Sequence, residues 1–479
     1  MESIWVKLEE SKSEGLSRDI ERDIVVVGGG IAGYLTAYRL AESGQNVTLI
    51  EAKTLFSGVT HSTTAHIETL LGYTFTSIKK RSEKAAELYF RSQMEAIDEY
   101  ENLVRKYKID CDFKRLDGYI YTSNENEKLK EEYNTLKDFG ADVEYIETQS
   151  MLGFNTTAAL KLSNQAIFEP IKFLQGLPCN FEVFENTKVI DVDFNDHILY
   201  TKNGTITAQK IIIATNFPLM NFQGWYFLRM YKSHSYAVAI DKAKDINGVY
   251  QSDAENGITF RNQNNYLIVG GLDHRSGRID KTDKFERLFE LGKHLTDGGE
   301  CVRTWAANDC ITFDELPYIG YYSKKSNDIF VITGFNKLGM TKAMAASLLI
   351  TDMINGVDNE YEHLYSPQRP TAGFFAFIKN LGCTVKNLVI MPLLPVFRTY
   401  KSLQKGEGDI VYYKCRKRAV YRDENGELHT CKPRCAHLGC QLKFNNETKT
   451  WDCPCHGSCF DVDGNIITAP TVKNLERIN

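Results

Sequence analysis

The chain has 479 residues, 43% of them hydrophobic, so on a prior of roughly 150 residues per domain it holds more than one domain, with sizeable cores. Its 57 lysines and arginines stand against 62 aspartates and glutamates, a net charge of −5. The pI is near 6.1. With no basic block, no nucleic-acid partner is expected. Residues 1–22 mix charges without an apolar run, and no stretch reaches the roughly 20 apolar residues of a spanning helix, so neither a signal peptide nor a transmembrane segment is expected.

Ile24–Val27 is a short apolar run suited to a buried parallel strand, and it leads straight into Gly28-Gly29-Gly30-Ile31-Ala32-Gly33. Gly-x-Gly-x-x-Gly, a helix over Ile31–Ala41 and a second strand Val47–Ile50 ending at Glu51 form the dinucleotide fingerprint. In it Gly28 permits the turn and Gly30 lets backbone amides reach a pyrophosphate. Gly33 lets helix and strand pack closely, and Glu51 suits the adenosine ribose. The alternative is a glycine-rich turn without a ligand.

FAD and NAD share this fingerprint, so other stretches must choose. Gly58–His66 (Gly-Val-Thr-His-Ser-Thr-Thr-Ala-His) is dense in small hydroxyl residues and suits a loop running along a flavin; a polar surface loop is the alternative. Ser82–Lys108 reads as an amphipathic scaffold helix, and residues 220–312 alternate short apolar runs with polar turns. Val269-Gly270-Gly271 continues as Leu272-Asp273-His274, so no second fingerprint exists. Ile329–Ile332 runs through Thr333-Gly334-Phe335-Asn336-Lys337-Leu338-Gly339-Met340-Thr341 into a helix over Lys342–Met353. A glycine-flanked helix start of this kind can set amides against the flavin edge where negative charge develops. Phe374–Phe397, broken by Lys379, Lys386, Pro392 and Pro395, reads as a buried inter-domain linker rather than a membrane-touching segment.

Near the C-terminus, Cys435-x-His437 and Cys453-x-x-His456 are separated by fifteen residues, a spacing that lets two short loops close on one metal centre. Thiolate and imidazole also suit a four-coordinate zinc, which stays the alternative. The extra cysteine in each half, Cys440 and Cys455, and the glycines Gly439 and Gly457 favour loops bent over a cluster. Six of the twelve cysteines lie between Cys431 and Cys459; the others are scattered, as ordinary thiols of a cytoplasmic protein would be.

The two halves resemble the Rieske family, in which two cysteines hold one iron of a [2Fe-2S] cluster and two histidines the other. The resemblance implies Cys435, His437, Cys453 and His456 as ligands and Cys440 with Cys455 as a bracing disulfide. Ser458 matches the family's serine that hydrogen-bonds a cluster sulfur. Phe460 stands where high-potential members carry tyrosine, which implies a potential in the lower part of the roughly −150 to +300 mV range.

The glycine motif, the hydroxyl-rich loop and the Gly334–Thr341 stretch together resemble the D-amino-acid oxidase superfamily, with glycine oxidase and sarcosine oxidase. Lys210–Asn216 (Lys-Ile-Ile-Ile-Ala-Thr-Asn) and Asp314–Gly320 (Asp-Glu-Leu-Pro-Tyr-Ile-Gly) match further, and Val189 sits where that backbone meets the adenine. This resemblance covers roughly residues 22–365 and the Rieske match 405–479, an order similar to the bacterial Rieske-fused FAD-dependent oxidoreductases. It implies an α/β Rossmann-type FAD domain with an antiparallel substrate-side sheet, plus a small all-β Rieske domain. The expected division is a lead over 1–21, the oxidoreductase domain over 22–370, a linker over 371–404 and the Rieske domain over 405–479. The implied FAD positions are Gly28, Gly30, Ile31, Ala32, Gly33, Glu51, Ala52, Thr63, Thr64, Val189, Ala214, Gly334, Gly339, Met340 and Thr341.

Amino-acid oxidases of this superfamily bind the substrate carboxylate with an arginine shortly before the Asp-x-x-Pro motif. Here that position is Asp309, which suits a cationic amine or a hydroxyl donor; the alternative is a loop-capping aspartate. His234, Tyr236, His274 and Lys337 are further polar residues for the flavin face. The expected function is an FAD-dependent dehydrogenase that oxidises a small amine, amino-acid-like or hydroxy substrate and passes electrons to the Rieske cluster and on to an electron-transfer partner. Reversed flow from an external donor, or a redox sensor that turns nothing over, are the alternatives.

Overall fold

A strand buried on both faces needs unbroken apolar sequence, and Ile20–Val27 (β1) meets this from Ile24 onward. In the computed structural model, which describes residues 2–8, 13–124, 126–219, 223–254, 257–278, 283–370 and 374–478, β1 is central to an eight-stranded sheet. The helix Ile31–Glu42 (α1) connects it to Val47–Ile50 (β2), which pairs with it in parallel. Thr205–Ile213 (β3) is parallel on its other side.

The chain then crosses to a nine-stranded, mostly antiparallel sheet, where Met230–Ile240 (β4) is flanked by Tyr266–Arg275 (β5) and Cys301–Thr312 (β6). It returns through Ile329–Thr333 (β7), parallel to β3, and the helix Gly339–Asn355 (α2), which packs across α1. The amphipathic pattern at 82–108 forms the helix Glu83–Tyr107, started by the Ser82 hydroxyl, which accepts from the Ala85 amide. The second sheet is wider than residues 220–312 suggest. It also recruits His66–Ile67, Lys114–Thr122, Val143–Glu147 and Ala158–Ile167, far away in sequence.

Side chains alternate across β4, and the two faces enter different cores. Ala237 and Ala239 pack with Trp305, Ile268 and the residues around α1 and α2. Tyr236, Val238 and Ile240 pack on the opposite side with Val269, Leu272 and Leu288. The register between β4 and β5 shifts between His234 and Tyr236, a bulge that re-aims the neighbouring side chains.

The C-terminal region is all-β: a three-stranded sheet (Glu407–Tyr413, Arg416–Arg422, Leu428–Cys431) and a four-stranded one (Lys443–Asn445, Thr450–Asp452, Cys459–Phe460, Ile466–Thr468), both antiparallel. Between the two large units lies the helix Phe374–Val385 (α3), continued by a π turn at Lys386–Ile390 and a last turn at Met391–Leu393. This segment differs from the expected buried linker. Asn380, Thr384 and Asn387 face inward, whereas Leu381, Val385, Val389 and Leu393 face out. Asn380 Nδ2 donates to the Phe227 carbonyl at 3.3 Å and the Asn387 main-chain carbonyl accepts from the Gln441 amide at 2.9 Å, while the buried Thr384 hydroxyl has no hydrogen-bond partner among the described residues.

Candidate functional site

Ligands of open α/β sheets bind beyond the carboxyl ends of parallel strands. Gly28, Glu51, Ala214 and Gly334 each follow such a strand directly, at the ends of β1, β2, β3 and β7. The first three are tied together: the Gly28 amide donates to the Ile50 carbonyl at 2.8 Å, and the Ala214 amide to Val27 at 2.9 Å. A Cβ on Gly28 would lie 2.7 Å from the Ala214 carbonyl oxygen, and one on Gly33 only 1.9 Å from the Gly28 oxygen, so α1 can approach β1 this closely only with glycine.

Helix α1 starts at Gly30, which offers no capping side chain, and the Ile31 amide is taken by the Thr60 hydroxyl at 2.9 Å. Thr60 belongs to the hydroxyl-rich loop but was not among the expected contacts. Glu51 accepts from the Gly29 amide at 2.7 Å and the Lys53 amide at 2.8 Å. Burial raises its pKa, while the amides of Lys53, Gly29 and exposed Ala52 pull it back. Val189 is buried two residues beyond Thr187, whose amide donates to the Glu51 carbonyl. The N-cap of α2 is Leu338, again without a capping side chain, so its first-turn amides at Gly339, Met340 and Thr341 are left for a ligand or water. The Thr341 hydroxyl is spent on the Glu68 carbonyl and the Met340 carbonyl accepts from Tyr100, so these two residues offer only backbone N–H groups. A tight glycine turn, an acidic strand end and two helix starts without capping side chains fit FAD.

The loop at Thr63 and Thr64 is anchored by residues that sequence reading missed. Arg261, fully buried, donates to the Thr64 carbonyl at 3.1 Å and the Ala65 carbonyl at 2.5 Å. The Trp5 indole donates to the Thr63 carbonyl at 2.9 Å and its ring stacks on Arg261. Burial lowers the Arg261 pKa to about 9, so it stays charged at neutral pH.

In the all-β unit, the loops at 432–442 and 453–458 face each other. The Cys435 and Cys453 thiols are in hydrogen-bond contact, which lowers the pKa of the first and raises that of the second. The His437 and His456 rings lie 5.2 Å apart, edge to face. His437 Nδ1 and His456 Nε2 are buried without a hydrogen-bond partner among the described residues, which suits metal ligands. Cys440 and Cys455 are disulfide-bonded, with Cα atoms 6.6 Å apart. The Ser458 hydroxyl contacts Cys435, and Phe460 is fully buried. Two thiols, two imidazoles and a bracing disulfide fit a [2Fe-2S] cluster.

The strands β4, β5 and β6 separate these two regions. On one face stand Ser235 and Asp309, 3.5 Å apart, and Asp273, which pairs with Lys337 from the loop before α2; Gly270 lies under Thr64. Asp309 sits mid-strand rather than capping a loop, and burial raises its pKa to about 6. The opposite face carries Lys232, His234, Tyr236, His274 and Asn308, and against it lies the cluster unit. His234 pairs with Asp452 at 2.9 Å, and Tyr236 joins His274 at 2.8 Å and Asn445 at 3.0 Å. Lys232 donates to the Ala469 carbonyl at 2.9 Å, and a Cβ on Gly457 would meet the Lys232 side chain at 2.4 Å. His456 packs on Phe227 at 5.4 Å. Of the four residues expected on the flavin face, Lys337 lies beside Asp273 and Asp309; His234 and Tyr236 are on the other face, because even-numbered β4 positions point away from α1 and α2, and His274, paired with His234 across the sheet, is with them.

A family profile described as FAD dependent oxidoreductase matches residues 23–353, and one for the Rieske [2Fe-2S] domain matches 395–479. The Rieske 2Fe-2S iron-sulfur protein YhfW of Bacillus subtilis (strain 168) is 30% identical over 482 residues, covering 97% of this chain and 94% of that one. The crystal structure of glycine oxidase from Geobacillus kaustophilus superposes with a TM-score of 0.61 at 18% identity, over 73% of this chain and 99% of that one. L-proline dehydrogenase from P. horikoshii gives 0.61 at 21%, over 73% and 98%. Among the described residues no helix is long and apolar enough to cross a membrane. The chain belongs to the FAD-dependent oxidoreductase family and carries a C-terminal Rieske [2Fe-2S] domain.

Proposed function

We propose that the chain is a dehydrogenase that oxidises a small amine, amino-acid-like or hydroxy substrate and delivers the electrons to its own Rieske domain. When bound, FAD supplies a two-electron hydride acceptor and the cluster a one-electron acceptor. One observation carries the reading: β4 presents Ser235 and Ala237 toward the flavin cradle and Lys232 and His234 toward the cluster loops, so a single strand layer separates the two. Holding both in one chain replaces collision with a fixed geometry. Cys435, His437, Cys453 and His456 are the cluster ligands in this reading, and the glycine turn, Glu51 and the two helix starts hold FAD.

Asp309 is the substrate-side residue. A half-buried carboxylate beside the Ser235 hydroxyl favours an ammonium or hydroxyl group over a carboxylate, and Lys337, paired with Asp273, gives an anionic substrate little. Of the ten cysteines outside the disulfide, two are ligands in this reading and the other eight remain free thiols, which supports a reducing, cytoplasmic compartment. An external electron partner completes turnover.

The test is anaerobic mixing of the holoprotein with amines, amino acids and hydroxy acids, followed by absorption and low-temperature EPR. Flavin bleaching followed by a reduced-Rieske signal supports the reading. If dithionite reduces the cluster but no compound bleaches the flavin, the reading fails and flow from a protein donor through the cluster replaces it. Tight binding of benzoate-type carboxylates would remove the role given to Asp309.

A further inference from the structure

The segment from Ile378 to Leu393 is amphipathic with its faces inverted. Toward the protein it turns Asn380, Cys383, Thr384 and Asn387, with Leu388 packed on the core of the cluster unit. Toward solvent it turns Ile378, Leu381, Val385, Val389 and Leu393, one stripe at spacings of three and four, and the chain beyond exposes Phe397. Leu393 is 78% exposed and Phe397 90%. Large apolar side chains clustered this way on a soluble surface mark a site that something covers.

Charge says what covers it. Between Glu362 and Glu407 the sequence has no acidic residue and six basic ones, in a chain whose net charge is −5. Lys386, Lys401 and Lys405 are exposed and form no ion pair among the described residues. Lys417 caps the segment's end, donating to the Pro392 carbonyl at 2.9 Å and to that of Leu394. A second copy of this chain is a poor occupant, because a two-fold contact would bring these lysines against their own equivalents with no acid in the segment to pair them. An anionic lipid surface satisfies both features: acyl chains take the apolar stripe and headgroups the lysines.

We infer that the face of residues 378–397 is a monotopic membrane-binding surface for anionic bilayers. The helix lies on the bilayer rather than across it, which agrees with the lack of a spanning helix among the described residues. The cluster loops, tied to the inner side through Asn387 and Leu388, then stand about one helix diameter, roughly 10 Å, from the lipid. This inference does not rest on the dehydrogenase reading.

The test is sedimentation of the FAD- and cluster-loaded full chain with phosphatidylglycerol–phosphatidylcholine vesicles and with pure phosphatidylcholine vesicles. The expected result is at least tenfold more protein in the anionic pellet. Leu381→Glu/Val389→Glu/Leu393→Glu is expected to abolish this, with flavin and cluster absorption unchanged. Lys386→Gln/Lys401→Gln/Lys405→Gln is expected to weaken it several-fold. Wild-type protein staying in the supernatant, equal binding to neutral vesicles, or glutamate variants that still pellet would each overturn the inference. So would light scattering showing a dimer that the glutamates split, without vesicle binding.

Discussion

His234 on β4 and Asp452, the residue before the expected ligand Cys453, form a buried imidazole–carboxylate pair with 2.9 Å between Nε2 and Oδ2. Asp452 also accepts from Thr450, and although burial opposes it, His234 holds its carboxyl below the ordinary range. Replacing His234 with leucine strands a buried carboxylate, a loss of about 3 kcal/mol where a buried pair is broken on one side. Because His234 faces away from the cradle, His234→Leu should leave flavin reduction by substrate unchanged and slow flavin-to-cluster transfer several-fold. Stopped-flow absorption separates the two rates; an equal loss in both would mean that the pair supports the whole fold.

Arg261 reaches loop carbonyls 196 and 197 residues away in sequence. Arg261→Met should therefore release FAD, since it leaves the buried Ala65 carbonyl unpaired at about 1–3 kcal/mol and frees the part-buried Thr64 carbonyl as well. Flavin retained after gel filtration is expected to fall at least tenfold, with the cluster spectrum intact. Arg261→Lys should rescue little, because a single ammonium does not reproduce the planar fork.

What was legible in the sequence was local. The glycine turn with its flanking strand and helix, and Cys-x-His with Cys-x-x-His, are written in short spacings that the chain cannot hide. His234 and Tyr236, two residues apart on β4, share a face by the alternation of a strand. Which face looks at the flavin was not legible, because Ala237 and Val238 are equally apolar and only the packing of α1 and α2 decides. Ile378–Leu393 failed for a similar reason: Asn380, Thr384 and Asn387 form a stripe as regular as the apolar one, and two contacts remote in sequence, Asn380 to the Phe227 carbonyl and the Asn387 main chain to the Gln441 amide, fix which stripe is buried. Arg261 and Trp5 gave no local signal at all.

The Cys440–Cys455 disulfide closes a loop with a sequence separation of 15, which stabilises by about 3 kcal/mol on the chain-entropy account. Cys453 Sγ lies within 4.8 Å of both disulfide sulfurs, so the bond braces the ligand loops directly. Cys440→Ser/Cys455→Ser should lose its Rieske EPR signal at lower temperature than wild type while FAD stays bound. A parallel loss of both groups would place the effect in the interface rather than in the loops.

Burial raises the Asp309 pKa to about 6. If its carboxylate receives a cationic amine, kcat/KM for amines should rise as pH climbs through about 6 and level off above it, once the group is ionised. Asp309→Asn should remove this limb and lower amine turnover at pH 8 at least tenfold. Turnover of a neutral hydroxy substrate should lack the limb. An unchanged profile in the asparagine variant would take Asp309 out of the site.

Lys342, on the first turns of α2, is 1% exposed, with the Tyr89 ring 5.6 Å from its ammonium and no hydrogen-bond or ion-pair partner among the described residues. Burial pulls its pKa down to about 7; the nearby Glu315 and Asp314 offset only part of this. An unfolded lysine keeps its proton to about pH 10.4. Between about pH 7 and 10 the unfolded chain therefore binds more protons, and this group's contribution to stability rises with pH. Below pH 7 the cost of a buried ammonium is present in full. Lys342→Met should thus be more stable than wild type at pH 6 by up to a few kcal/mol, since each tenfold loss of proton affinity on folding costs about 1.36 kcal/mol. The gap should close toward pH 10. Denaturant midpoints of the two proteins at pH 6, 8 and 9.5 measure it, and a gap that stays constant with pH would assign the gain to packing against Tyr89 instead of to the lost charge.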